Sequence, residues 1–330
     1  MEKSTLQALN QKGILRVADS MPTFSPNNIG MPAGILSQLS KEAVMAILAY
    51  RAGDDALGGR KKILDWEKEE YFLPMVERTG VTQVYSDYDD AVKSGLNITF
   101  GRTGHYTFSS TMVNGERQNL QIGEAGMNAE AFILEASLEA IAIELNRVAF
   151  NGYVNNNNSF LVTGLLNDPS LNSYIGANKQ FNAMSFNEAI TFFATALAKL
   201  REQTGNNIQK GSKIRCVIAS KAFDTLWLKV NDLGVSVIDA VLDRYNKLGI
   251  EFNFVSAIEL DGANATQDVI YFILENSLGG VSDTTILGYS ELGRMSNVVV
   301  GHNFTSQKVS AGTTGAVVYK PSYIVRYTNI

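Results

Sequence analysis

The chain has 330 residues, with 45% hydrophobic residues, 18% charged residues and a formal net charge of −5. These values describe an ordered globular protein with room for one large domain or two moderate ones, and they exclude a disordered chain. The acidic balance, with Arg60-Lys61-Lys62 as the only basic triplet and Asp65, Glu67, Glu69 and Glu70 close behind it, argues against a tight nucleic-acid binder.

Residues 1 to about 40 are weakly patterned and broken by Pro22, Pro26, Pro32, Gly30 and Gly34, which predicts an extended arm. Ser40 is placed to cap a helix from Lys41 to Arg51, ended by Gly53, Gly58 and Gly59. Residues 62 to 78 read as a further amphipathic helical turn or two, anchored by Trp66, Tyr71 and Phe72. From Val81 to Ile122 apolar residues alternate with polar ones: Leu96, Ile98 and Phe100, then Tyr106 and Phe108, then Leu120 and Ile122. Asn114-Gly115 has the composition of a two-residue hairpin turn, and Gly101 to Gly104 reads as another turn. The segment predicts a long antiparallel hairpin with half-apolar faces, too poor in core to stand alone.

Met127 to Phe150 carries the longest helical pattern. Leu134, Leu138, Ile141, Leu145 and Val148 line one face, Glu144 and Arg147 are one turn apart, and Asn151-Gly152 supplies a stop. Such a helix is about 36 Å long at 1.5 Å per residue. Gly164 to Pro169 reads as a turn leaving it. Ser185 and Glu188 then form a capping-box pattern ahead of a stripe of Phe186, Ile190, Phe193, Leu197 and Leu200. Ile214 to Ala219 predicts a buried strand. Ser220 opens a helix bearing Phe223, Leu226 and Trp227, and Ser236 caps one bearing Ile238, Val241, Leu242 and Tyr245. Strands are expected at Ile250–Val255 and Val269–Leu274, giving an α/β lobe over residues 184 to 288. The tail, Ala316 to Thr328, reads as one long strand returning to the long helix, with Pro321 marking an edge or bulge.

Catalytic and cofactor chemistry finds little support. His105 and His302 are the only histidines, too few for the usual three-histidine metal site. Walker and G-x-G-x-x-G loops are absent, and Asp87, Asp89 and Asp90 lack the spacing of a calcium loop. Cys216, the sole cysteine, lies in an apolar run and predicts a buried structural thiol with no disulfide. The longest apolar run, Ala43 to Tyr50, is too short to span a bilayer, and no signal peptide is read at the start. The expectation is a soluble protein made in the cytoplasm, with no catalytic residues, cofactor, metal or membrane partner.

Three stretches carry a resemblance to a known family: Glu144 to Gly152 running into Gly164–Pro169, Ile214 to Trp227, and Thr313 to Pro321. With the order of arm, hairpin, long helix, α/β lobe and return strand, the chain resembles the major capsid proteins of tailed double-stranded DNA bacteriophages. Their fold, of the Hong-Kong-ninety-seven type, is shared with encapsulin shells. The resemblance implies an α+β fold divided into an N-terminal arm (1–60), an extended-loop hairpin region (61–126), a peripheral domain with a spine helix (127–183 and 289–330) and an α/β axial domain (184–288). It implies a subunit that assembles as hexamers and pentamers into an icosahedral shell. That shell would contact packaged DNA weakly and non-specifically, and work with portal, scaffolding and decoration proteins. Phe100, Arg102, Tyr106, Phe108 and Arg117 become candidate inter-subunit contacts. Lys93, the only lysine between Val81 and Gly126, is the sole extended-loop candidate for a cross-link, which nothing else in the sequence supports. The alternatives are an encapsulin-like shell around an enzyme cargo, an α/β enzyme using carboxylates or tyrosines, and a tail or decoration protein.

Overall fold

A computed structural model describes residues 51–79, 95–124, 129–154, 160–276 and 284–330. The expected helix over 41–51, Lys93, the Asp87–Asp90 cluster and the loop at 155–159 lie outside these, apart from Arg51 at the helix's end. In chain order the elements are α1 (Gly53–Leu57), β1 (Arg60–Lys62), β2 (Glu70–Thr79), β3 (Gly95–Gly104), β4 (Tyr106–Gly115), α2 (Glu116–Glu124), α3 (Ala129–Asn151), β5 (Tyr153–Val154), β6 (Phe160–Val162) and β7 (Ile175–Gly176). There follow α4 (Phe186–Gln203), β8 (Lys213–Ala219), α5 (Ser220–Leu228), α6 (Val237–Lys247), β9 (Glu251–Ala257), β10 (Val269–Asn276), β11 (Thr285–Tyr289), β12 (Arg294–Met295), β13 (Val299–Val300), β14 (Phe304–Val318) and β15 (Ile324–Thr328). The chain divides into two compact units. The larger contains Gly53–Thr107, Val148–Glu291 and Gly312–Ile330, and the smaller contains Phe108–Arg147 and Leu292–Ala311.

The core of the larger unit is a five-stranded sheet in the order β7-β15-β10-β8-β9. β8 and β9 run parallel and β10 antiparallel between β8 and β15. All but the first residue of β8 is buried, which explains its continuous apolar run. The capping box before α4 forms as read: Ser185 Oγ accepts from the Glu188 N–H, and the Glu188 carboxylate accepts from the Ser185 N–H at 2.7 Å. That start sets the helix so that Ile190, Phe193, Leu197 and Leu200 are buried. Phe193 is the hub of an aromatic cluster, with ring centroids 5.9 Å from Phe272, 5.7 Å from Phe254 and 6.4 Å from Phe252. The Tyr245 hydroxyl, carried in on α6, donates to the Phe193 carbonyl at 2.9 Å. Ser236 caps α6 as expected, but Ser220 is the first residue of α5 rather than its cap, and Ala219 makes no side-chain cap bond. Cys216 is fully buried, and burial pushes its thiol pKa well up, as suits a packing residue.

The tail is not one strand. Pro321, with its fixed φ and no N–H to give a ladder, opens a short 3-10 turn after β14. The chain then enters the five-stranded sheet as β15, beside β10. The C-terminal part of β14 instead pairs with β11 from Thr285↔Val318 to Tyr289↔Thr313, and β11 pairs in parallel with β1. Gly315 is required here: its φ is +70°, and a Cβ would lie 2.4 Å from the Thr163 carbonyl oxygen.

The smaller unit packs Ile141, Leu145, Val309 and Ala311 together, with Phe108, Met112 and Leu134 against them. β12 and β13 pair with the N-terminal part of β14. The Arg147–Glu144 ion pair forms, and Arg51 reaches Glu139 at 3.1 Å. Leu138 departs from the expected stripe and is exposed, while Ser137 beside it is buried. α3 runs on through Val148, Ala149 and Phe150, all buried in the larger unit, to the predicted stop at Gly152, whose φ is +66°.

Four local readings are overturned. Asn114-Gly115 is not a hairpin turn. Neither residue has the positive φ such a turn needs, and β4 passes directly into α2, with the Glu116 N–H bonded to the Asn303 carbonyl at 3.0 Å. Leu120 and Ile122 are therefore helical. Residues 70–79 are strand rather than helix, because they pair along their whole length with β3. Gly101 to Gly104 is the end of that strand rather than a turn. Gly53 starts a short helix rather than ending one, and Gly58 and Gly59, at φ +83° and +108°, follow its end.

Candidate subunit interface

β2 and β3 form a two-stranded antiparallel ribbon in continuous register from Glu70↔Gly104 to Thr79↔Gly95. Directly opposed residues share a face, and the side-chain period of two fixes which ones. Phe72, Pro74, Ile98, Phe100, Leu96 and Arg102 therefore lie on one face, and all six are exposed. Leu96 is 66%, Ile98 51% and Phe100 66% exposed. Arg102 forms an ion pair with Glu70 at the foot of the ribbon. Pro74 is tolerated because no third strand pairs with the ribbon among the described residues.

The foot of the ribbon is fixed firmly. Gly104 passes so close to β6 that a Cβ there would sit 2.4 Å from the Leu161 carbonyl oxygen. His105 Nε2 lies 2.8 Å from the buried Ser290 Oγ, and the Trp66 ring meets the imidazole edge-on at 6.2 Å. Burial lowers the His105 pKa, against a smaller upward pull from a hydrogen bond to the Lys68 backbone. Tyr106 stacks on Tyr153 with ring centroids 3.8 Å apart.

The expected contact residues are thus divided. Phe100 and Arg102 share the open face of the ribbon. Tyr106 is turned onto Tyr153, Phe108 packs against the core of the smaller unit, and Arg117 is exposed on α2. Sequence reasoning did not select Phe72, Leu96 or Ile98, although the alternation of Leu96, Ile98 and Phe100 was the available signal. It also missed the end of α5 and its connection to α6, where Leu228, Val230 and Leu233 are exposed, Leu233 to 86%. Trp227, expected inside a helix stripe, is exposed beside them.

Among the described residues no group of three or more His, Cys, Asp or Glu is placed to hold a metal. No described helix is long and apolar enough to cross a membrane. Ser290, whose hydroxyl pairs with the His105 ring, is fully buried.

A family model described as Pa193 gp26 major capsid protein matches residues 22–329. No curated protein matches the chain. Among solved structures, the capsid of Myoviridae phage XM1 superposes with a TM-score of 0.71 at 13% identity, covering 91% of this chain and 99% of that one. The capsid of a native GTA particle gives 0.59 at 10% identity, covering 91% and 97%. A chain of Gordonia phage Cozz gives 0.56 at 12% identity, covering 92% and 97%.

Proposed function

Since the chain belongs to the Pa193 gp26 major capsid protein family, and is therefore a structural phage-shell subunit of the virion rather than an enzyme, we propose that its β2–β3 ribbon is the extended loop through which neighbouring subunits hold one another. The observation that carries this is the open face of Phe72, Leu96, Ile98 and Phe100. Burying a fully exposed side chain of this size contributes roughly 1.5–3 kcal/mol. Starting half to two-thirds exposed, the four together offer several kcal/mol per subunit when covered. A ribbon fixed at its foot presents that face with little further loss of freedom.

The same reading assigns residues 1–60 to an arm, 61–126 to the extended-loop region, 127–183 and 289–330 to a peripheral domain and 184–288 to an axial domain. β7 and β15 then complete the axial sheet from outside that last range. Subunits gather as hexamers and pentamers in an icosahedral shell, made and assembled in the host cytoplasm. The exposed segment around Leu228, Val230 and Leu233 is a second contact surface. The net charge of −5 suits weak, non-specific contact with packaged DNA, and portal, scaffolding and decoration proteins complete the particle. The encapsulin-like alternative is not favoured, since the matched family is that of a phage major capsid protein. Electron microscopy of the expressed chain tests the proposal: closed shells support it, and a compact monomer at every concentration and salt sinks it.

A further inference from the structure

The smaller unit contains a cavity of about 340 Å³, within the range of roughly 300–1,000 Å³ typical of small-molecule sites. Its apolar lining includes Ile133 and Leu134 of α3, Met112 of β4 and Val298. Its polar lining is Asn114, Thr305, Ser306 and Gln307, and none of the described residues around it carries a charge. Gln307 already donates from Nε2 to the Ser296 carbonyl at 2.9 Å. Asn114 is different: it is only 7% exposed, and neither Oδ1 nor Nδ2 of its amide has a hydrogen-bond partner in the chain. A buried amide without partners is costly, and most such groups in native proteins are satisfied. The backbone keeps this one in place. Asn114 is the penultimate residue of β4, which pairs with β14, and two residues on the Glu116 N–H is bonded to the Asn303 carbonyl at 3.0 Å.

We propose that this cavity is a binding site for a small uncharged amide, a primary carboxamide or lactam carried on an apolar ring. The Asn114 side chain offers one acceptor and an NH₂ donor side by side. A carboxamide or lactam edge carries the matching pair, so the ligand carbonyl accepts from Nδ2 while its N–H donates to Oδ1. The ring then lies against Met112, Ile133, Leu134 and Val298, removing apolar surface from water. Thr305 and Ser306 add hydroxyls that can turn to either role. Charge is selected against, because no lining residue of opposite sign would repay the desolvation of an ion. Holding the amide in place before binding spares the ligand the cost of ordering it. The site is independent of the shell reading, since every residue in it belongs to the smaller unit of one chain.

The test uses the unassembled full-length chain, labelled at its methionine methyl groups, with the Met112 resonance assigned through Met112→Leu. Benzamide is titrated to millimolar concentration and followed by NMR. Benzoate, of the same shape but charged, and acetophenone, which keeps the acceptor and loses the N–H donor, are titrated in parallel. Benzamide is expected to shift the Met112 methyl saturably, acetophenone to do so more weakly and benzoate not at all. Asn114→Leu removes the unpaired amide; it should leave the subunit as stable or more so and weaken benzamide about tenfold. Val298→Trp fills the cavity from a residue that is 56% exposed, so it tests the site without disturbing the core, and it should abolish the shift. A Met112 methyl that does not respond to benzamide overturns the inference. So does a response that benzoate matches, or one that either variant leaves unchanged. Whether particles form has no bearing on these outcomes, so the shell reading stands or falls separately.

Discussion

His105 Nε2 and Ser290 Oγ meet at 2.8 Å, tying the residue that follows the ribbon to the residue that follows β11. The imidazole also has a hydrogen bond to the Lys68 backbone. The pair holds the foot of the ribbon, where the Trp66 ring also packs.

Burial of the His105 ring makes stability depend on pH. Burial lowers the folded-state pKa of His105, so folding favours the neutral ring. In the unfolded chain histidine titrates near 6.5. The contribution is therefore complete above about pH 7, and it is lost as the pH falls through 6.5 toward the lower folded-state value. Thermal melts of the unassembled subunit between pH 7.5 and pH 5 should show a falling midpoint. His105→Gln, which does not titrate, should flatten that slope.

The Arg215 guanidinium is buried, donates to the Ala56 carbonyl at 2.7 Å and pairs with Glu275. It links strand β8 to the end of α1. Arg215→Met leaves Glu275 and the Ala56 carbonyl without their partner, at a cost of about 3 kcal/mol by chemical denaturation. Arg215→Lys should recover only part of this, because an ammonium cannot reproduce the forked geometry.

The aromatic hub gives a cleaner core test. Phe193 is fully buried and its ring faces Phe252, Phe254 and Phe272. Phe193→Ala should destabilise the subunit by about 3–5 kcal/mol. The same denaturation curve read for Ser185→Ala should show a loss of about 1 kcal/mol from the α4 cap. Glu188 in that cap is held at about 2, first by the Lys179 hydrogen bond and then by the Ser185 backbone and hydroxyl. Lys179→Ala should therefore raise its titration midpoint, as followed by NMR.

Much of this architecture was legible in the sequence where one local signal decided the structure. The Ser185–Glu188 box, the stop at Gly152 and the buried run Ile214–Ala219 all depend on neighbours within a few residues. The errors came where a distant partner decided. Residues 70–79 carry a mixed pattern that only pairing with 95–104 makes a strand. Asn114-Gly115 looks like a hairpin turn in isolation, yet Asn114 is buried and the next N–H is taken by Asn303. The contact face was half visible: alternation marked Leu96, Ile98 and Phe100, but Phe72 joined them only once the register was known.

Ile98→Asp separates folding from assembly. Ile98 is half exposed on the ribbon, so the change should leave the melting of the isolated subunit within about 0.5 kcal/mol of wild type. It places a charge where a neighbour's apolar surface is expected, and should abolish particles in size-exclusion chromatography. Particles of normal yield would mean that this face is not used.

A cryo-EM reconstruction of the particles formed by the expressed chain tests the central claim most directly. The account predicts a closed shell in which the Leu96–Ile98–Phe100 face of each ribbon is covered by density from an adjacent copy. A shell in which that face meets solvent, or lies on its own chain, would contradict it.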